Sequence, residues 1–275
     1  MEVILAKLGY ALNYRREMIL VALILGRTMP MLVLTPFLSG KLVPTQIKMG
    51  MGLLFTILLW PVARNAIDMN QLPVTAIPFF LMMLKEILIG FAIGFVNHHI
   101  FWAMEMAGRI IDTVRGSSMA EVMMPQSGTR ATPFGVMFFQ LMVVIFMVAG
   151  GHHIFIEAYF FSFARLPIDV GLAMGEMMEP FFDHMIRLTG DTIMIGALLA
   201  APIVAATFIT DVVFGILNRV APQLNAYFMS MPVKAMAGVL MVLLILMPFV
   251  ERLFEYVIWS LQAVERTIEF LAVAG

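Results

Sequence analysis

The side chains able to do chemistry in this sequence are few, and most of them interrupt apolar stretches. Arg27, Lys85-Glu86, His152-His153, Glu157, Asp211 and Lys234 each break a long apolar run. An ionisable group at mid-helix in hydrocarbon costs about 2.5–3.5 kcal/mol on insertion scales. Such groups relay protons, neutralise one another, or stand near a helix end and reach the interface. The pairs His98-His99 and His152-His153 raise a metal reading. Adjacent helical residues point about 100° apart, so each pair offers one ligand at a time. Glu157 follows His153 by one helical turn, which makes one weak His/Glu site conceivable, but there is no HExxH and no cysteine. Gly116-Ser117-Ser118-Met119-Ala120 is not GxSxG, and no GxxxxGK[ST] occurs. No catalytic residue, metal or cofactor is expected, and the chain does not read as an enzyme.

The densest polar stretch between apolar runs is Glu105–Arg130. Glu105, Arg109, Asp112 and Arg115 lie three or four residues apart with alternating sign, so on a helix neighbours along one face can pair. Gly116 is expected to stop that helix. A loop over about 116–133 follows, with small side chains (Gly116, Ser117, Ser118, Ala120) and flexible apolar ones (Met119, Met123, Met124). One reading is a solvated loop after a salt-bridged helix end. The other is a mobile constriction, because methionine repacks easily and can seal a pore without locking it. The 27 methionines among 275 residues exceed what gap-filling in a core requires and suggest adaptable packing or sealing surfaces.

A helical hairpin is expected around Ala221-Pro222-Gln223, its turn marked by Pro222 and by the polar Asn218, Arg219, Gln223 and Asn225. Asp211 and Lys234 stand at similar distances on either side of it. Antiparallel arms bring both to about 17 Å from the turn, so they are expected to pair.

These residues need helices to hold them. Sixty-one per cent of the residues are apolar, 13% are charged, and the net charge is −1; mean hydropathy is +0.96. So little charge cannot coat a soluble globule of this size. Disorder and nucleic-acid binding are excluded on the same grounds. The absence of cysteine excludes disulfides and thiolate sites. Apolar runs cover Met18–Ser39, Met49–Ala63, Leu72–Ala103, Val136–Phe161, Ile193–Leu217 and Tyr227–Val250. Backbone in lipid must satisfy itself, and runs of this length with poor alternation are helices rather than barrel strands. The fold class is therefore an all-α membrane protein with about six long hydrophobic helices, several of them broken. Tyr14-Arg15-Arg16-Glu17 precedes the first run, which reads as a retained span rather than a secretory signal. Glu251–Ala274 alternates charged and apolar residues as an amphipathic helix. Lysine and arginine divide almost evenly between alternate loops, so charge bias gives no orientation. Interrupted spans without that bias suggest helices that face protein or water for much of their length.

Several ordered motifs carry a family likeness. They are Pro36 with Val43-Pro44 and Lys48; Gly108-Arg109-Ile110-Ile111-Asp112 with Arg115-Gly116 and Ser118-Met119-Ala120; and Pro125-Gln126-Ser127-Gly128. Gly150-Gly151-His152, Ser162-Phe163 and Leu166-Pro167 follow, then Asn218 to Asn225 and Met231-Pro232-Val233-Lys234. In this order the chain resembles, over almost its full length, the FliR/SctT family of the type III secretion export gate of flagella and injectisomes. Met231–Lys234 looks more like the injectisome branch, which is slightly favoured, while Pro125–Gly128 and Gly151–His153 look flagellar.

The resemblance implies a non-enzymatic subunit of a protein-conducting channel in the bacterial inner membrane. It would sit at the base of a flagellum or injectisome, partly raised toward the periplasm, and pass unfolded substrates. The implied partners are FliP/SctR and FliQ/SctS subunits in a helical assembly, the FlhB/SctU switch protein and the FlhA/SctV export component, with lipid around them. Residues 1–190 would be the FliP/SctR-like part. Residues 191–275 would be the FliQ/SctS-like hairpin with the C-terminal amphipathic helix. The 116–133 loop would be the plug of the closed pore.

The alternative is a proton-coupled secondary transporter using Asp211, Lys85-Glu86 and Lys234; no internal repeat supports it. An intramembrane hydrolase lacks a nucleophile or metal set. Replacing Asp211 alone is expected to lower the yield of assembled complex, because it strands Lys234; replacing both is expected to be milder.

Overall fold

The computed structural model describes residues 14–40, 43–69, 72–73, 75–116, 132–169, 178–223 and 225–273. Its elements are all helices: α1 (Tyr14–Leu34), α2 (Pro36–Ser39), α3 (Thr45–Ala66), α4 (Ala76–Val114), α5 (Pro133–Val148), α6 (Gly151–Arg165), α7 (Met178–Val220) and α8 (Ala226–Val273). No strand occurs among the described residues. Five helices (α1, α3, α4, α7 and α8) are long and apolar enough to cross a membrane, and α5 with α6 would make a sixth span if taken together.

Several boundaries expected from sequence move. The short second run extends to 22 residues in α3 because Pro44 precedes a helix whose first turn is polar. Tyr227–Val250 and the amphipathic Glu251–Ala274 stretch join in the single 48-residue helix α8. The charge pattern changes at Glu251 and Pro248 stands one turn before it, yet the helix runs through both. Conversely, the Val136–Phe161 run is cut in two at Gly150, whose φ of +74° only glycine adopts readily.

The chain forms two compact units that interleave in sequence. The first comprises Met1–His98, His152–Met185 and Leu261–Gly275; the second comprises His99–Gly151 and Ile186–Ser260. Helix α7 crosses Gly190 without a break.

In the first unit, Leu20, Leu23, Ile24 and Met31 of α1, Ile89, Ile93 and Val96 of α4, and Phe155 and Phe163 of α6 are buried. The approach of α1 to α4 depends on Gly90 and Gly94, four residues apart. A Cβ on Gly90 would lie 2.0 Å from the Arg27 carbonyl oxygen, and one on Gly94 would lie 3.1 Å from Met31 Cα. This is the small-residue spacing that lets helix backbones touch where apolar burial gives little drive.

In the second unit, Phe101, Met104, Ala107 and Ile111 of α4 are buried, as are Phe138, Met142 and Phe146 of α5. Phe101 meets Phe146 at 5.4 Å between centroids, and Phe138 meets Phe249 of α8 at 5.0 Å. Helix α8 is lightly covered: Met236, Leu243, Leu244 and Met247 are exposed.

Gly90→Ala is expected to lower thermal stability in detergent by about 1–3 kcal/mol, because backbone must move to admit the methyl. Gly190→Ala, which meets nothing within 4 Å, is expected to raise it by about 0.5–1 kcal/mol. Equal effects would overturn the close-approach account.

Candidate functional site

The last turns of α4 carry the polar set anticipated from spacing. Arg109 Nη2 donates to Glu105 Oε1 at 2.6 Å, an i,i+4 pair. Asp112 is directed elsewhere: its Oδ2 accepts the backbone N–H groups of Phe134 (3.0 Å) and Gly135 (3.2 Å) at the start of α5. A carboxylate there meets unsatisfied amides and the positive end of the helix dipole. Arg115 Nη2 donates to the Ala235 carbonyl of α8 at 2.9 Å, and its guanidinium lies over the Phe134 ring at 4.5 Å. Burial pulls Arg115 below the usual guanidinium range and the charge of Asp112 opposes this; the group stays cationic.

Helix α4 ends at Val114, and Gly116 follows with φ +82°, the left-handed conformation that glycine supplies after a helix. Of the expected plug residues, Ser117, Ser118, Met119, Ala120, Met123 and Met124 lie outside the described residues.

At the hairpin, Arg219 closes the last turn of α7, Pro222 and Gln223 form the turn, and Asn225 Oδ1 accepts Phe228 N–H at the start of α8. Lys234 Nζ and an Asp211 carboxylate oxygen form a salt bridge, with the lysine 13% and the aspartate 47% exposed.

A second polar centre lies in the first unit, and its wiring is not readable from spacing. Arg27 is fully buried, and its guanidinium is used almost to capacity. Nε donates to Glu86 Oε2 at 2.5 Å; Nη1 donates to the Ser162 carbonyl (3.1 Å) and hydroxyl oxygen (3.3 Å); Nη2 donates to the Leu166 carbonyl (2.9 Å). Its face covers Phe163 at 4.1 Å. Lys85 Nζ donates to the carbonyls of Ile168 (2.7 Å) and Pro167 (3.3 Å) and lies 3.0 Å from Glu86 Oε1. Thr28 Oγ1 donates to the Ile24 carbonyl, so the Tyr159 hydroxyl donates to Thr28 at 2.8 Å.

The physical cause is the end of α6. Pro167 cannot continue a helix, so the carbonyls of Leu166, Pro167 and Ile168 have no helical partner. Unpartnered carbonyls in a low dielectric are costly, and two cations from α1 and α4 satisfy them while Glu86 offsets one positive charge. The signal was present as ionisable residues in two apolar runs and a proline after Arg165. The partners, 59 to 139 residues apart, were not.

The histidines are also spread out. His98 Nδ1 meets the Leu34 carbonyl, and His99 Nε2 lies 3.4 Å from Thr189 Oγ1. The rings of His152 and His153 are 4.0 Å apart. Among the described residues no three His, Asp or Glu side chains gather as a metal site requires.

The model of the family described as bacterial export proteins, family 1, matches residues 18–260, a stretch that includes every polar group above. Yop proteins translocation protein T of Yersinia pestis is 30% identical over 231 residues, 83% of this chain and 87% of that protein. Secretion system apparatus protein SsaT of Salmonella typhimurium is 31% identical over 175 residues, 64% of this chain and 65% of that protein. Flagellar biosynthetic protein FliR of Escherichia coli (strain K12) is 28% identical over 233 residues, covering 83% and 86%.

Arg27→Met is expected to destabilise the protein by about 3–5 kcal/mol, read as a fall in melting temperature in detergent, because it strands Glu86 and the α6 carbonyls. Adding Glu86→Gln is expected to recover part of the loss. A double variant worse than the sum of the single ones would contradict the pairing.

Proposed function

The chain belongs to the FliR/SctT family of bacterial export proteins, and from that premise we propose that it is a core subunit of the type III secretion export gate. Membership makes it a component of the type III export apparatus with membrane-spanning helices, in the bacterial inner membrane. The observation that carries the proposal is the family match over residues 18–260, which takes in all the membrane-span candidates except the first turn of α1 and the final turns of α8.

In this reading the subunit lines part of a conduit for unfolded polypeptides and performs no catalysis. It assembles with FliP/SctR and FliQ/SctS subunits and works with the FlhB/SctU and FlhA/SctV components, at the base of the secretion machine and raised toward the periplasm. Residues 1–190 act as the FliP/SctR-like part and residues 191–275 as the FliQ/SctS-like hairpin with its continuation. The interrupted helices support the proposal. Their charges are engaged inside the chain, whereas their large apolar faces on α3, α7 and α8 are exposed and would be covered by sister subunits and lipid. The 116–133 stretch is the plug: its small and methionine side chains seal without locking. The Met231–Lys234 segment favours the injectisome branch over the flagellar one.

Co-expression with the two candidate partner families tests the assembly. The chain is expected to purify in a large fixed complex, and purification alone would count against the proposal. Deleting Ser117–Met124 is expected to leave assembly intact and make the closed complex leak ions in vesicles; a tight membrane would remove the plug assignment.

A further inference from the structure

Helices α1 and α4 run side by side in the same direction within the first unit. Their contacts advance in step: Gly26 faces Met83, Arg27 lies against Gly90, and Met31 lies against Gly94. Both helices therefore begin at the same end. The backbones touch at Gly90 and Gly94, but toward the helix starts a groove of about 560 Å³ lies between them. That volume falls within the usual range for ligand sites. The walls are apolar, with Met18, Ile19 and Ala22 from α1 and Ala76 and Phe79 from α4. Arg15, at the start of α1, is the one charged side chain among the described residues that line it.

This end of the unit stands at headgroup level. Tyr14-Arg15-Arg16-Glu17 precedes the first apolar run. Helix α3 runs the opposite way and ends beside it. Trp60 Nε1 donates to Glu17 Oε2 at 3.0 Å, and Arg64 Nη2 lies 3.2 Å from Glu17 Oε1. Tryptophan and arginine at the end of a span are what the membrane–water boundary favours. The acidic residue in the first turn of α1 is thus engaged by α3, while the groove keeps a cation at its mouth. Two helix starts add unsatisfied N–H groups and the positive ends of two dipoles.

We infer that this groove binds an anionic phospholipid. Both parts of such a molecule find their match. A phosphate headgroup meets Arg15 and the two helix starts, and an acyl chain lies along Met18, Ile19 and Phe79. An extended peptide would leave backbone groups unpaired against these walls. A free phosphate would leave the apolar length of the groove uncovered. Basic pockets between membrane helices take lipid headgroups by the same chemistry. The site lies wholly within the first unit, so it stands whether or not the chain works as a gate subunit.

The test uses the full chain, purified in mild detergent in whatever complex it forms and washed free of bound lipid. Three probes are titrated: phosphatidylglycerol, phosphatidylcholine with the same acyl chains, and glycerol phosphate, which has a headgroup and no chains. Binding is read by native mass spectrometry. Phosphatidylglycerol is expected to bind about fivefold tighter than phosphatidylcholine, the factor one basic side chain contributes toward an anionic lipid. Glycerol phosphate is expected to bind at least about tenfold more weakly than phosphatidylglycerol. Arg15→Gln is expected to bring the two lipids within about twofold of each other. Ala76→Phe, which fills the groove from an exposed position, is expected to weaken phosphatidylglycerol at least about fivefold. Equal binding of the two lipids by the unaltered protein, or a preference that survives Arg15→Gln, would overturn the proposal. Glycerol phosphate binding as tightly as phosphatidylglycerol would also overturn it, in favour of a free-anion site.

If either variant fails to fold, photolabelling of the unaltered protein decides. Phosphatidylglycerol with a photoreactive group in its acyl chain is expected to label the peptides that contain Met18 and Phe79. Labelling confined to the exposed faces of α7 and α8 would mean that protein rather than lipid fills the groove, and the assignment would fall.

Discussion

A peptide carbonyl removed from water has to find a donor, and in hydrocarbon that donor can come only from the protein. The first unit is arranged around this constraint. Helix α6 ends inside it, and the carbonyls of Leu166, Pro167 and Ile168 are met by Arg27 and Lys85. Glu86 then balances charge between the two cations. None of these residues is explained singly. Arg27 without the end of α6 would be a buried charge with no purpose, and that helix end without Arg27 would be a set of orphaned acceptors. The glycines of α4 complete the arrangement, since Arg27 reaches Glu86 only because the α1 backbone lies against Gly90.

The second unit solves the opposite problem with the opposite charge. There a helix begins where its first amides are buried, and Asp112 supplies the acceptor. Cations at a helix C-terminus and an anion at a helix N-terminus follow one dipole rule. In both places the polar group belongs to a distant helix, so satisfying the backbone also fastens one helix to another. This is how a protein with little charge obtains specific tertiary contacts where apolar burial discriminates poorly.

The sequence made some of this legible and hid the rest for reasons of distance. Hydropathy marks the long helices, because composition alone decides what can lie in lipid. Glu105 with Arg109 is local arithmetic on a helix, and Asp211 with Lys234 is arithmetic about a turn at Pro222. Arg27 with Glu86 is neither. Its partners are brought together by packing at Gly90 and by the break at Pro167, and neither sets a period that spacing could reveal. Asp112 was visible as a charge on a helix face; its engagement with α5 depends on where the chain returns after residue 131. The joining of the last two segments into α8 was hidden because a change of polarity beside Pro248 resembles a boundary, although the helix runs through it.

The separation between Arg27 and its acceptors also bears on how the protein is made. Glu86 lies 59 residues downstream and Ser162 lies 135 residues downstream. At synthesis rates of about 5–20 residues per second, the guanidinium waits roughly 7–28 s after its own synthesis before its last acceptor, the Leu166 carbonyl 139 residues downstream, exists. A charge without its partners is costly in hydrocarbon. Arg27 completes its bonds only once α6 and the turn after it have been made, so final docking in this unit is a late event of translation.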